Sequence, residues 1–321
     1  MIENSVDNTL LSNGVVIDDV FYPKKNLSSG TLRIILTNSC NYQCKYCFNE
    51  GEKEKNNRYQ DLEKLKKVIN AGREFGIHSV KLTGGEPLLY PKINDLLAYL
   101  HEINMPYYDL TTNISLLDEK TVDMLNNYNV SSLTLSLNSL DRDKYIYLSG
   151  FSNFDKVLHN LNYTLENFKG KLRINCIVFD ENYREDDYLS IMAFCKRHNI
   201  GLRFVEPSKV DGFPITYTKE SFDDLISRLR SYATKVIKSD CSSVEYFYFD
   251  DWYLTIMHSL CDNLHCEACR NYMYIRLTSE GKFKPCLSRS DTEVDINYNS
   301  DEDIKKAYVK AINNMGVGRL E

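Results

Sequence analysis

The segment Leu32-Arg33-Ile34-Ile35-Leu36-Thr37-Asn38-Ser39-Cys40-Asn41-Tyr42-Gln43-Cys44-Lys45-Tyr46-Cys47-Phe48 runs from an apolar, strand-like stretch into a short loop with three cysteines at x3 and x2 spacing. Thiols this close in one loop can converge on a single inorganic centre. A structural zinc ion would need a fourth ligand nearby, and the nearest histidine is as far off as His78. Three thiolates suit an iron–sulfur cluster with one iron left open to a small molecule. Downstream, Ser79-Val80-Lys81-Leu82-Thr83 is a second strand-like run, and it ends in Gly84-Gly85-Glu86-Pro87. The two glycines permit close backbone approach, and the carboxylate beside them can accept from an ammonium group.

The same alternation continues outward. Strand-like runs at Leu32–Leu36, Val80–Thr83, Tyr107–Thr111, Ser132–Leu137, Leu172–Val178 and Leu202–Val205 are separated by amphipathic patterns at Asp61–Phe75, Ile93–Ile103, Glu119–Asn127, Phe154–Phe168 and Asp186–Arg197, with Ser221–Ile237 following. Six strand–helix units of an α/β chain imply parallel strands joined by right-handed crossovers. In a barrel of that kind the active site lies at the C-terminal strand ends. The polar residues there are Thr111, Thr112, Asn113, Ser136, Asn138, Arg173, Asn175, Arg203 and Glu206.

Composition excludes several classes. The 321 residues are long enough for one large domain or one with a small addition, at ~150 residues per domain. Lys and Arg total 39 against 45 Asp and Glu, so the net charge of −6 gives no support to a nucleic-acid-binding surface. No apolar run approaches the ~18 residues of a membrane span. The N-terminus Met1-Ile2-Glu3-Asn4-Ser5-Val6-Asp7 lacks the basic and apolar regions of a signal peptide, and a cytoplasmic, reducing location is expected. Ten cysteines are too few for a disulfide scaffold and point to metal binding or catalysis.

Of the other cysteines, Cys176 and Cys195 fall in apolar patterns and are expected in the core, while Cys241 stands alone. Cys261, Cys266, Cys269 and Cys286 form a C-terminal set, and Ser279-Glu280-Gly281-Lys282 reads as the turn of a β-hairpin that returns Cys286 toward the cysteine pair. Four such thiols suit either zinc or a second cluster.

The cysteine loop followed by Gly84-Gly85-Glu86-Pro87 resembles the signature of radical S-adenosylmethionine (radical SAM) enzymes, in which the glycine turn holds the methionine end of the cofactor. The resemblance implies a partial (β/α)6 TIM-type barrel over residues 31–240, after an N-terminal extension (1–30) and before a small auxiliary-cluster domain and tail (241–321). It implies a 4Fe–4S cluster on Cys40, Cys44 and Cys47, with Tyr46, Gly84, Gly85, Glu86, Ser136 and Asn138 around S-adenosylmethionine. Over most of the chain the sequence is also similar to GTP 3',8-cyclases. The likeness includes Tyr46-Cys47-Phe48-Asn49-Glu50-Gly51, Ser139-Leu140-Asp141, Arg173-Ile174-Asn175, Leu202-Arg203-Phe204-Val205-Glu206, Met257-His258 and Lys284-Pro285-Cys286-Leu287. That likeness implies a second 4Fe–4S cluster on Cys266, Cys269 and Cys286, with Arg33, Lys81, Thr112, Arg173 and Arg276 facing a nucleotide.

The implied chemistry is reductive cleavage of S-adenosylmethionine and hydrogen abstraction from a bound substrate, with no protein nucleophile and with an electron donor such as flavodoxin or ferredoxin. Cyclisation of GTP is the first reading. Cys261 departs from the cyclase pattern: as a fourth ligand it would close the auxiliary cluster and leave no iron for a purine. The alternative is therefore modification of a peptide or other small molecule, for which Tyr246-Phe247-Tyr248-Phe249 would line a groove. A third reading is a non-catalytic metal-binding protein, against which the intact Cys40/Cys44/Cys47 loop and glycine turn argue.

Overall fold

The computed structural model describes residues 14–17, 20–23, 30–52, 57–180, 182–207, 219–239, 244–259, 273–287 and 289–315. Cys241, Cys261, Cys266 and Cys269 lie outside them. A short hairpin, β1 (Gly14–Ile17) and β2 (Val20–Pro23), comes first. Six strand–helix units follow: β3 (Thr31–Ile35) and α1 (Leu62–Glu74), β4 (Ser79–Thr83) and α2 (Ile93–Glu102), β5 (Tyr107–Thr112) and α3 (Glu119–Asn127), β6 (Ser132–Ser136) with α4 (Arg142–Ser149) and α5 (Phe154–Asn167), β7 (Lys171–Ile177) and α6 (Glu185–Arg197), and β8 (Gly201–Val205) and α7 (Lys219–Tyr232). The remaining elements are β9 (Lys235–Lys238), β10 (Val244–Phe249), β11 (Trp252–Met257), β12 (Tyr274–Leu277), β13 (Phe283–Lys284) and α8 (Asp301–Asn313).

Alternation within the strands builds the two faces. In β3, Leu32 and Ile34 are fully buried toward the helices, and Arg33 between them points to the other face. α1 answers with Leu62, Leu65, Val68 and Ile69 on one stripe, and the Asp61 side chain caps it by accepting from the Lys64 N–H at 3.0 Å. Fully burying each such aliphatic side chain contributes about 1.5–3 kcal/mol. One eleven-stranded sheet results, in the order β13-β12-β3-β4-β5-β6-β7-β8-β11-β10-β9. β12 through β11 in that order are eight parallel strands, and β13, β10 and β9 are antiparallel additions. The hydrogen-bonded order stays open, as a partial barrel requires. The sheet nevertheless curls far enough to bring Arg203 on β8 within electrostatic reach of Tyr274 on β12 and Asp109 on β5.

The elements differ from the sequence reading at one helix end and add two features to it. The helix expected to reach Ile237 ends at Tyr232, and Lys235–Lys238 instead pairs with β10, where Val236 and Ile237 meet Phe247 and Tyr246. β-branched residues opposite an aromatic strand favour that ladder over another helical turn. The eight-residue α4 was not expected. It is held at its ends by the Asp141 cap and by Gly150 in the left-handed conformation rather than by a long apolar stripe. Finally, the strand-rich C-terminal segment extends the barrel's sheet at both edges: β11 pairs with β8 and β12 with β3. The hairpin expected between Cys269 and Cys286 is present as β12–β13, with Thr278 N–H donating to Lys282 O at 2.9 Å across the turn. Among the described residues no helix is long and apolar enough to cross a membrane.

Behind the sheet, His258 at the end of β11 is held between two buried carboxylates, with Nε2 3.2 Å from Glu245 and Nδ1 3.6 Å from Glu206. The Glu206 contact above all, with Glu245, raises its pKa against the opposing effect of burial. A raised folded-state pKa stabilises below the ordinary histidine value of 6.5 and loses that contribution as pH rises through the higher value. The melting temperature should therefore fall as pH rises upward from 6.5, and His258→Gln should flatten this slope. An equal slope in the variant would contradict the assignment.

Candidate active site

The cysteine loop sits at the C-terminal end of β3, where barrel chemistry is built. Cys40, Cys44 and Cys47 are half-buried and form no disulfide. Tyr42 N–H lies 3.4 Å and Asn113 Nδ2 3.9 Å from Cys40 Sγ, so donors already point at one thiol. Tyr42 anchors the loop: its ring stacks on Phe151 at 4.5 Å, and its hydroxyl donates to Asn113 O at 3.2 Å beside the Tyr145 hydroxyl. The backbone of Gln43 and Lys45 donates to Ser149 and Leu148 at 3.2 and 3.0 Å, which explains why α4 is there. Tyr46 packs on Phe179 at 5.0 Å, and burial together with the Cys44 thiol raises its phenol pKa.

The glycine pair has a structural reason within the chain itself. A Cβ on Gly85 would lie 2.1 Å from Ser39 O and 3.0 Å from Cys40 Cβ, and one on Gly84 would lie 2.2 Å from Thr37 O. Only glycine lets the turn lie flat against the start of the cysteine loop, where Gly85 N–H donates to Thr37 O at 2.8 Å and Glu86 N–H to Ser39 O at 2.9 Å. Glu86 is 0% exposed and accepts from Thr112 Oγ1 (2.8 Å), Leu88 N–H (3.1 Å) and Asn113 N–H (2.8 Å). Burial pushes its carboxyl up to about 7 in spite of these donors. Thr112, expected to face a nucleotide, is buried at the outer side of β5 and gives its hydroxyl to Glu86; Thr111 lies in the lumenal row beside Thr134.

Asn138 is 4% exposed. Its Oδ1 accepts from Ile177 N–H at 2.8 Å, whereas its Nδ2 is buried without a partner, a donor available to a ligand. Ser136 ends β6 half-buried, in register with Asn175, which neighbours Arg203 in turn. The thiols of Cys176 and Cys195 are buried as expected, and burial raises both pKa values, that of Cys195 to about 12.

Strand register brings the cationic residues into the lumen. Arg276, Arg33, Lys81 and Asp109 form one row across β12, β3, β4 and β5. Two of these cations are neutralised by the protein. Arg33 Nε donates to Glu50 at 3.0 Å, with a second bond from Nη2, and Lys81 Nζ lies 2.6 Å from Asp109. Arg173, Arg203 and Arg276 are different: each keeps a buried Nε with no hydrogen-bond partner. Burial and repulsion from Arg173 lower the pKa of Arg203 to about 10. Sequence reasoning noted Arg203 only as a strand-end polar residue; its spacing from the lumenal Arg33, Lys81 and Arg173 rows was the available signal.

The first site is joined to the C-terminal segment. Lys284 Nζ donates to Gly51 O at 3.1 Å, Ser279 Oγ to Glu52 at 2.7 Å, and Gln60 to Thr278 O. Cys286, half-buried two residues after Lys284, is thereby placed close to the segment leaving the cysteine loop.

The sequence matches the model of the Radical SAM superfamily over residues 34–195. The chain belongs to that superfamily. Membership brings S-adenosylmethionine and a 4Fe–4S cluster, whose chemistry suits thiolate donors such as those of the Cys40, Cys44 and Cys47 loop; among the described residues no three His, Cys, Asp or Glu side chains converge on a single metal ion. This radical SAM protein is 28% identical over 294 residues to a probable GTP 3',8-cyclase of Methanococcus maripaludis, covering 88% of this chain and 94% of that one. It is also 28% identical over 287 residues to one of Methanocaldococcus jannaschii, with the same coverages. Its fold is that of Streptococcus suis SuiB, solved with the precursor peptide SuiA (TM-score 0.65, 21% identity over 83% of this chain), although it spans only 60% of the SuiB chain. It is likewise that of anSMEcpe solved with AdoMet (TM-score 0.62, 16% identity, 89% of this chain and 82% of that one). Gly85→Ala should displace Ser39 and Cys40 and lower the iron taken up on anaerobic reconstitution well below wild type, with the helical circular-dichroism signal retained; wild-type iron content would contradict the packing argument.

Proposed function

We propose that this radical SAM enzyme acts on an anionic nucleotide, by a cyclisation like that of the GTP 3',8-cyclases. When bound, the cluster and S-adenosylmethionine supply one-electron reductive cleavage and a hydrogen-abstracting 5'-deoxyadenosyl radical. The reducing electron comes from an outside donor of the flavodoxin or ferredoxin kind. The chain's own residues bind, orient and shield. Cys40, Cys44 and Cys47 would hold the cluster; Asn138 Nδ2 offers a buried donor at the cofactor's side of the lumen; Tyr46, Gly84, Gly85, Glu86 and Ser136 shape the cofactor's bed.

The observation that carries the substrate class is the set of three lumenal arginines, Arg173, Arg203 and Arg276, each with a buried Nε that has no hydrogen-bond partner. A buried guanidinium N–H without a partner is costly, and burial together with repulsion from Arg173 already lowers the pKa of Arg203. Guanidinium groups bind phosphate oxygens in bidentate fashion, so a triphosphate supplies what the lumen lacks. An uncharged peptide segment does not, and for that reason the nucleotide reading stands ahead of peptide modification despite the shared fold with SuiB. Cys286 is proposed as a ligand of a second cluster with Cys266 and Cys269, and Cys261 as the residue whose ligation decides whether that cluster keeps an open iron.

The test is release of 5'-deoxyadenosine from S-adenosylmethionine under anaerobic reduction, with and without GTP. GTP should stimulate release, and Arg203→Gln should cost at least tenfold of the stimulated rate, from the loss of one charge-assisted contact. Release that is indifferent to GTP and to other nucleoside triphosphates would reject the nucleotide reading.

A further inference from the structure

The chain leaving β5 carries a backbone outlier. Ile114 has a φ of 76°, a left-handed conformation that a β-branched residue adopts only under constraint, and its side chain is fully buried. The constraint is visible in its backbone bonds. Ile114 N–H donates to Thr112 Oγ1 at 3.3 Å, and Ile114 O accepts from Asn160 Nδ2 on α5 at 3.0 Å and from Leu117 N–H at 2.9 Å. Backbone strain of this kind gathers where it positions a functional group, and the residue it positions here is Asn113.

Asn113 is nearly buried, and its polar atoms are all engaged. Its N–H donates to Glu86 at 2.8 Å and its carbonyl accepts from the Tyr42 hydroxyl at 3.2 Å. Its Oδ1 accepts from Ser115 N–H at 3.1 Å and from Ser115 Oγ at 2.6 Å. The backbone donor at Oδ1 fixes which way the amide faces. Nδ2 therefore points into the cysteine loop, where it donates to Asn41 Oδ1 at 2.9 Å and is directed at Cys40 Sγ, 3.9 Å away. Glu86, fully buried, spends both carboxylate oxygens on Thr112, Asn113 and Leu88 and so ties Asn113 to the glycine turn. The glycine turn, the strained end of β5 and the first cysteine meet at this one side chain.

We propose that Asn113 is a positioning residue that sets the reduction potential of the cluster: its amide donates to the Cys40 sulfur and eases the uptake of one electron from a donor of the flavodoxin or ferredoxin kind. An N–H aimed at a ligating sulfur favours the more negative, reduced state, because its positive end faces the added charge. The Tyr42 N–H, 3.4 Å from the same sulfur, acts in the same sense, but Asn113 is the donor that a side-chain substitution removes. This inference rests on the reading in which Cys40, Cys44 and Cys47 hold the cluster. It is independent of the substrate.

A redox titration of the anaerobically reconstituted protein tests it, followed by the electron paramagnetic resonance signal that S-adenosylmethionine perturbs. Asn113→Ala deletes the donor, and Asn113→Asp keeps the acceptor for Ser115 while replacing the amide nitrogen with an oxygen. The midpoint potential should fall in both, on the order of tenfold in the reduction equilibrium, about 59 mV for one electron. Ser115→Ala leaves the Ser115 N–H on Asn113 Oδ1 and should keep the wild-type potential. A wild-type potential in the Asn113 variants, or an equal fall in Ser115→Ala, overturns the proposal and leaves the cluster reading standing. A wild-type protein with no signal that S-adenosylmethionine perturbs overturns both.

Discussion

The ion pair between Arg33 and Glu50 is the constraint around which the site is organised. Arg33 lies on the first barrel strand, and Glu50 follows the last cysteine of the loop by three residues. Asn49 and Glu50 both have positive φ, at 49° and 53°, a conformation that costs on the order of 1 kcal/mol or more for a side-chain-bearing residue. Burial alone would raise the Glu50 pKa, but the Arg33 guanidinium overrides it and holds the carboxyl below its usual range. The Thr83 hydroxyl, next to the glycine turn, donates to Glu50 at 2.8 Å. One carboxylate thus ties together the first strand, the exit of the cysteine loop and the strand that leads to Gly84. From Glu50 the chain passes directly to Gly51 and Glu52, which dock on the β12–β13 hairpin. Removing either partner leaves a buried charge alone, a loss of about 3–5 kcal/mol.

That pairing also divides the lumen. By spending Arg33 on Glu50 and Lys81 on Asp109, the protein neutralises the β3–β5 side of the lumen. The guanidinium Nε donors left without a hydrogen-bond partner fall on β7, β8 and β12. Arg33 and Lys81 therefore organise the wall, and in the proposed function Arg276 beside Arg33, with Arg173 and Arg203, would meet the anion.

Much of this architecture was legible in the residues. The strand–helix alternation placed all six units, because each strand interleaves its lumenal residues with fully buried aliphatics and each long helix carries one apolar stripe. The thiol spacing with Gly84-Gly85-Glu86 located the site, since few arrangements need three close thiols beside two adjacent glycines. What could not be read was pairing at a distance. Nothing local announces that Glu50 will answer Arg33, that Asp109 will answer Lys81, or that Thr112 will turn outward to Glu86. The glycine pair was legible as a close approach, but the partner in the fold is the Ser39–Cys40 backbone. Sheet membership of β11 and β12 also escaped the sequence, because their parallel partners β8 and β3 lie far away along the chain, and α4 escaped because its support is the backbone of the cysteine loop.

In the proposed function an anionic substrate completes the unpartnered Nε donors of Arg173, Arg203 and Arg276. The most direct measurement is a crystal structure of the anaerobically reconstituted protein with S-adenosylmethionine and GTP. The account predicts phosphate oxygens within hydrogen-bond distance of Arg173, Arg203 and Arg276 while the Arg33–Glu50 and Lys81–Asp109 pairs persist. Nucleotide density elsewhere, or these three arginines paired with the protein's own carboxylates in the complex, would contradict it.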